Sequence, residues 1–321
     1  MVISNDPYPN PMISLVIPIY NEYQLIPELL DRSVQALAKT NESFEIICVD
    51  DGSTDQSMDL LLSYHQRDGR IKILALSRNF GLQAALTAGI EHALGDFVVM
   101  MDGDLQDPPE IIPEMYRKMH SGNFDIINGK RISRQEKGER RLLTRFFHFL
   151  FRRFSGLDNM ADVGNFSMFN RNAINSLLSM KEKIRYLPGL RSFIGYRQGV
   201  VEYHREGRPA GKSKMSLRWL FNLAADAIYS FSKIPLKICL YMGVFGVIVF
   251  FCAGIYVLVA KIFGFAVIGW SSTLLSIYFL GSIQLTFLGV VGEYVFRIYK
   301  ESQDRPLYLI KQFYSDGSEG E

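Results

Sequence analysis

The chain has 321 residues, 48% hydrophobic and 13% aromatic, with a formal net charge of +2. The length suits two domains, or one domain with an appendage; the overall charge identifies no partner because the charges are unevenly placed, and no nucleic acid is expected. Three cysteines, Cys48, Cys239 and Cys252, exclude a disulfide framework or a zinc site, which fits a reducing cytoplasmic setting for the water-soluble part.

The opening MVISNDPYPNPM has neither the basic nor the apolar region of a cleaved signal peptide, so none is expected. Short apolar runs rich in β-branched residues follow: ISLVIPI, FEIICVD, IKILAL and FVVMMD, then FDIINGK. Helical stretches such as GLQAALTAGIEHALG and PPEIIPEMYRKMHSG separate them. This alternation predicts an α/β fold, a mostly parallel sheet covered by helices on both faces.

Next comes GERRLLTRFFHFLFRRFSG (138–156), where arginines and phenylalanines interleave at helical spacing, as in a helix lying on anionic lipid. A second amphipathic segment, SLRWLFNLAADAIYSFSK (216–233), sets Arg218, Asn222, Asp226 and Ser230 on one polar stripe. Two uncharged runs follow, 238–260 and about 270–292. The first would span roughly 35 Å as a helix, enough for a hydrocarbon core of about 30 Å. Lys233 and Lys237 flank one end, and Arg297, Lys300, Arg305 and Lys311 the other. The positive-inside rule then puts both termini in the cytoplasm and makes the membrane part a hairpin in the inner membrane. The expected domains are a cytoplasmic catalytic domain (1–215), a juxtamembrane helix (216–233), the hairpin (234–293) and a cytoplasmic tail (294–321). Gly243, Gly246 and Gly254 leave room for close helix packing, so a homo-oligomer is also entertained.

In an open parallel sheet, ligands bind beyond the carboxyl ends of the strands. There the first strand ends in PIYNE, the second in VDDGSTD, the third in SRNFG and the fourth in DGDLQ. At about 4 Å and an effective dielectric of about 20, each like-charged carboxylate pair costs roughly 4 kcal/mol. A hard divalent cation such as Mg²⁺ or Mn²⁺, held by Asp102 and Asp104 with the amide oxygen of Gln106, offsets that cost and recruits a diphosphate. Gly103 between them lets the backbone approach a ligand closely. Asp55 and Asp107 read instead as helix caps, Asp107 because Pro108 and Glu110 follow it. No GxGxxG follows the first strand, no GxxxxGK[ST] loop is present, and an EF-hand starting at Asp102 would meet Pro113 where glutamate is needed.

PIYNE, VDDGSTD and DGDLQDPPE, in this order, resemble family 2 glycosyltransferases of the GT-A (Rossmann-like) fold. The two spans and the basic GKSKMS after HREGRPA narrow the resemblance to polyprenyl-phosphate glycosyltransferases, the dolichol-phosphate mannose synthase group and, most similar, the bactoprenol glucosyltransferases. The resemblance covers nearly the whole chain. It implies that Pro18, Tyr20, Glu22 and Asp51 hold the nucleotide base and ribose, with Asp50 nearby and Arg78, Asp102, Gly103 and Asp104 also on the nucleotide sugar. It implies metal at Asp104 and Gln106 with Asp102, and catalysis by Asp102, Asp104 and Arg131. Arg131, Arg140 and Thr144 would meet the acceptor phosphate, and Lys212, Ser213 and Lys214 would belong to a loop closing over the site. One departure stands out: related sequences often carry GFR near VGNFSMF, and this chain has Ser167 in the arginine position, so no role is assigned to 162–167.

The implied reaction moves a hexose, glucose from UDP-glucose foremost, onto polyprenyl (undecaprenyl) phosphate with inversion. A lipid phosphate has a second pKa of about 6 and is already anionic at neutral pH, so it needs no general base. Two other readings remain. A processive polysaccharide synthase shares the acidic motifs but wants QxxRW, and Met215 stands in the glutamine place before Arg218 and Trp219. A non-enzymatic nucleotide-binding membrane protein would leave the DGD and Gln106 unexplained.

Overall fold

Apolar runs without polar alternation make strands buried on both faces, and the first strands follow that rule. A computed structural model of the chain describes residues 11–132, 163–183, 185–204, 234–263 and 269–315. Strands β1 (Ile13–Ile19), β2 (Phe44–Asp50), β3 (Ile71–Leu76) and β4 (Phe97–Met100) lie parallel in the order β3-β2-β1-β4. The first two are buried along their whole length. Between them run α1 (Ile26–Ala38), α2 (Ser57–Arg67) and α3 (Leu82–His92), and α4 (Ile112–Gly122) follows β4. Proline in the first turn starts α1 and α4, where its missing N–H costs nothing. Asn123 in the left-handed conformation ends α4.

Strand β5 (Ile126–Ile132) is followed by β6 (Val163–Asn170), α5 (Arg171–Ser179), α6 (Leu187–Phe193) and β7 (Gln198–His204). The described strands form one sheet of order β7-β5-β6-β4-β1-β2-β3-β8, in which β6 and β8 (Ile310–Tyr314) are antiparallel to their neighbours. Leu15, Ile17, Ile46, Cys48, Val99 and Phe166 face Leu29, Leu30, Leu61 and Met115 of α1, α2 and α4 in the main core. Helices α3 and α5 cover the other face. The parallel centre agrees with the sequence reading; β6, β7 and β8 add what it did not foresee.

The chain divides into two compact units: one holds the sheet with its helices, including the returning strand β8; the other holds α7 (Ile234–Ile262) and α8 (Trp270–Ser302). Helices thus cover both segments read as spans. Among the described residues, one helical segment, Ser276–Ser302, is long and apolar enough to cross a membrane. Helix α8 runs ten residues past Gly292, where the apolar run ends, and Glu293 pairs with Arg297 at 2.9 Å on that extension. The expected interfacial segments 138–156 and 216–233 lie outside the described residues.

Candidate active site

The carboxyl edge of the parallel strands is knitted together by short polar side chains. Asn21, with φ 53, turns the chain after β1, and its Oδ1 accepts from the backbone N of Thr54 at 2.7 Å. Asn21 N in turn donates to Ser53 Oγ, and Glu22 N to Ser57 Oγ, at 3.0 and 3.1 Å. Asp55 accepts from the N–H of Ser57, the first residue of α2, at 3.0 Å, in line with its reading as a cap. Asp51 accepts from the backbone of Phe80 and Gly81 at 2.7 and 2.9 Å, tying the β2 loop to the β3 loop. Asp50 accepts from Ser53 N. Burial lifts both carboxyls above their ordinary value, against the hydrogen bonds they accept. Pro18 is buried within β1, Tyr20 and Glu22 are half-buried just beyond it, and Arg78 is exposed with its guanidinium 4.2 Å from the centre of the Phe80 ring. A cleft of about 660 Å³ opens between the β1 and β2 loops, walled by Asn21 to Leu25 and Thr54 to Gln56. Asp102 and Asp104 are not in its walls.

Beyond β4 the chain bends sharply. Gly103 packs on β1, and a Cβ there would sit 2.7 Å from the carbonyl oxygen of Pro18, so its close approach is to the chain's own backbone. Leu105 is fully buried at φ 57, an unfavourable backbone for a leucine that core packing holds in place. This turn presents Asp102 and Asp104, both half-buried, and Asp104 Oδ1 accepts from Gln106 N at 3.2 Å. Asp102 Oδ1 accepts from Asn165 Nδ2 at 3.1 Å. Burial first, then the charges of Asp107 and Asp104, push the Asp102 carboxyl up to about 6.

The donor chemistry fits a hard divalent cation. Two carboxylates and an amide share one turn, and their mutual repulsion is what such an ion relieves. Among the described residues no three His, Cys, Asp or Glu side chains form a self-sufficient metal cage.

Asp107 is not the helix cap read from DPPE. The turn Pro109–Ile111 has no side-chain cap. Asp107 is fully buried and accepts instead from Arg131 Nε and Nη2 at 3.2 and 3.1 Å and from the Tyr203 hydroxyl. Arg131 Nη2 also stands 4.0 Å from Asp102 Oδ2. Burial works against the charge of Arg131, yet Asp107 and Tyr203 raise its pKa above the ordinary value. The sequence reading named Arg131 but gave no part to Asp107 and Tyr203 beside it, or to Asn165 beside Asp102. Alternation in QGVVEYH, with every second residue buried, was the available signal for β7 and hence Tyr203.

Ser167 also finds an explanation. Its Oγ accepts from Arg191 Nη1, which donates to the Gly164 carbonyl at 3.0 Å. A guanidinium from α6 therefore occupies the neighbourhood of the position where the sequence lacks arginine. Burial pulls the pKa of Arg191 down to about 10. Arg140, Thr144, Lys212, Ser213 and Lys214 lie outside the described residues.

Comparisons with known proteins give the family. Residues 14–178 match the family described as Glycosyl transferase family 2. Over 304 residues the chain is 38% identical to "Uncharacterized glycosyltransferase sll0501" of Synechocystis sp., covering 94% of this chain and 95% of that protein. Over 301 residues it is 37% identical to the bactoprenol glucosyl transferase of Shigella phage SfV, covering 93% and 98%. Among solved structures, the mannosyltransferase PcManGT from Pyrobaculum calidifontis, in complex with GDP-Man and Mn²⁺, aligns with a TM-score of 0.46 and 17% identity over 70% of this chain and 71% of that one. With a family match over half its length and relatives above one-third identity along nearly all of it, the chain belongs to glycosyl transferase family 2 and is a glycosyltransferase.

Proposed function

We propose that the chain transfers a hexose, glucose foremost, from a UDP-sugar to a polyprenyl phosphate such as undecaprenyl phosphate, with inversion and with Mg²⁺ or Mn²⁺. The observation that carries this reading is the convergence of Asp102, Asp104 and Arg131 on the ligand-binding edge, in a chain 37% identical to a bactoprenol glucosyl transferase. Asp102, Asp104 and Gln106 would hold the cation, which when bound neutralises the departing nucleoside diphosphate. Pro18, Tyr20, Glu22, Asp50 and Asp51 border the place for base and ribose, and Arg78 stands exposed at the end of β3 beside it. Arg131 would steer the incoming lipid phosphate, with Arg140, Thr144 and Lys212 to Lys214 completing that side. The acceptor oxygen is already anionic, so the residues supply orientation and charge rather than proton removal.

The chain leaves the sheet after β7 and returns to it at β8, so both ends of the α7–α8 segment lead into one folded unit. That return favours a hairpin of two crossings. If Ser276–Ser302 crosses, α7, with 29 helical residues, is the matching second span. The basic flanks favour the cytoplasmic face of the inner membrane for the catalytic unit. In this arrangement 1–215 is catalytic, 216–233 juxtamembrane, 234–293 the hairpin and 294–321 a tail that contributes β8.

The test is transfer of label from a panel of radiolabelled nucleotide sugars to undecaprenyl phosphate by the purified protein in detergent, with Asp104→Ala alongside. Label from one donor in organic-extractable lipid, lost in the variant, is expected. Label in a water-soluble polymer would instead identify a processive synthase, and no transfer from any donor would remove the enzymatic assignment of substrate altogether.

A further inference from the structure

Asp107 is the buried group to which the proposed reaction gives no task. It is fully enclosed, and two of its neighbours come from other strands, Arg131 from β5, 24 residues on, and Tyr203 from β7, 96 residues on. An arginine offers its Nε and one Nη as a paired edge that matches the two oxygens of a carboxylate. Arg131 spends that edge on Asp107, at 3.2 and 3.1 Å. The Tyr203 hydroxyl closes the clasp: it accepts from Arg131 Nε at 3.0 Å and donates to Asp107 Oδ1.

A second carboxylate competes for the same guanidinium. Asp102 Oδ1 is taken by Asn165, so Oδ2 is the oxygen left for a metal, and Arg131 Nη2 hovers 4.0 Å from it. Gly164 shapes the seat on the other side, because a Cβ there would lie 2.9 Å from Nη2. A slight swing would put the guanidinium onto Asp102, consume the oxygen and set a positive charge where a dication belongs. We infer that Asp107, with Tyr203, is a positioning pair that holds Arg131 off Asp102 and so keeps the Asp102 carboxylate open to a divalent cation. The inference rests on the metal-dependent reading above and adds to it the residues that keep the metal's place clear.

The test measures binding directly. Free Mn²⁺ is titrated by electron paramagnetic resonance against the full-length protein in detergent, with and without UDP, and melting curves verify folding of each variant. Asp107→Asn keeps the shape but not the charge, and should weaken Mn²⁺ binding at least about 10-fold, the usual scale for groups that orient metal ligands. Tyr203→Phe should weaken it in the same direction, roughly 3-fold, and carries the test if Asp107→Asn does not fold. In an Arg131→Gln background, with no guanidinium to misplace, either substitution should change the affinity by less than about 3-fold. A loss just as large in that background would overturn the inference, since Asp107 would then act by its own charge or by supporting the fold. Unchanged binding in both variants, with the parent protein binding Mn²⁺, would overturn it alone. A parent protein that binds no Mn²⁺ even with UDP would overturn it together with the metal-dependent reading.

Discussion

Asp102 sits among groups that pull its proton in opposite directions. Burial and the neighbouring carboxylates of Asp107 and Asp104 favour the proton, whereas Asn165 and Arg131 favour its loss. The balance lifts the folded-state value from 3.8 to about 6. Between those values the folded protein binds more protons at this site than the unfolded chain, so stability falls as pH rises. The contribution is complete below about 4 and lost as pH passes through about 6. With EDTA present, Asp102→Asn should therefore raise the melting temperature more at pH 7.5 than at pH 5. Thermal scans of parent and variant at both pH values check this, and a gap independent of pH would contradict it. The DGD carboxylates were legible in the sequence because a buried strand ending in two unexplained acids has no quiet alternative. Asp107 was not, because DPPE writes a helix start and a buried ion pair in the same letters. Its hydroxyl partner is 96 residues away, beyond any local pattern.

The segments ISLVIPI, FEIICVD and IKILAL coincide with β1, β2 and β3 because uninterrupted apolar runs have one economical fate, burial on both faces. Strand β8, IKQFY, is exposed or half-exposed throughout and, among the described residues, pairs only with β3. Its pattern alone is too weak to announce a strand, and its partner lies on the far side of two long helices. It nevertheless covers the edge of an apolar strand, and the backbone N of Ser77, next to Arg78, donates to Leu309 O at 2.8 Å. A chain ending at Arg305 loses a few ladder hydrogen bonds at about 1 kcal/mol each, so it should be less stable by about 2–4 kcal/mol. It should also aggregate through the bared β3 edge. Denaturant titration and light scattering measure the two effects, and a truncated protein as stable and monodisperse as the parent would contradict the role given to β8.

At the scale of the whole molecule, the proposed hairpin makes a prediction about sidedness. The native Cys48, Cys239 and Cys252 are first replaced, because all three are free thiols. A single cysteine between the helices, at position 266, should then react with an impermeant maleimide added to intact cells. One at position 317, past β8, should react only after permeabilisation. Labelling of both from outside, or of neither, would rule out the two-span arrangement. Hydropathy made the helices legible, since long uncharged runs admit few alternatives. It did not reveal that the chain comes back to complete the sheet, because that depends on pairing between remote segments.

The returning strand has a consequence in time. Glu91 and Tyr308, joined by a hydrogen bond beside β3, are 217 residues apart. At a synthesis rate of about 5–20 residues per second, the edge of β3 stays uncovered for roughly 10–50 s after it leaves the ribosome. During that interval both long apolar helices must be made and find their surroundings. The catalytic sheet is therefore finished only after both long helices are made, and a chain stalled before β8 exposes an open β edge for proteases and chaperones to recognise.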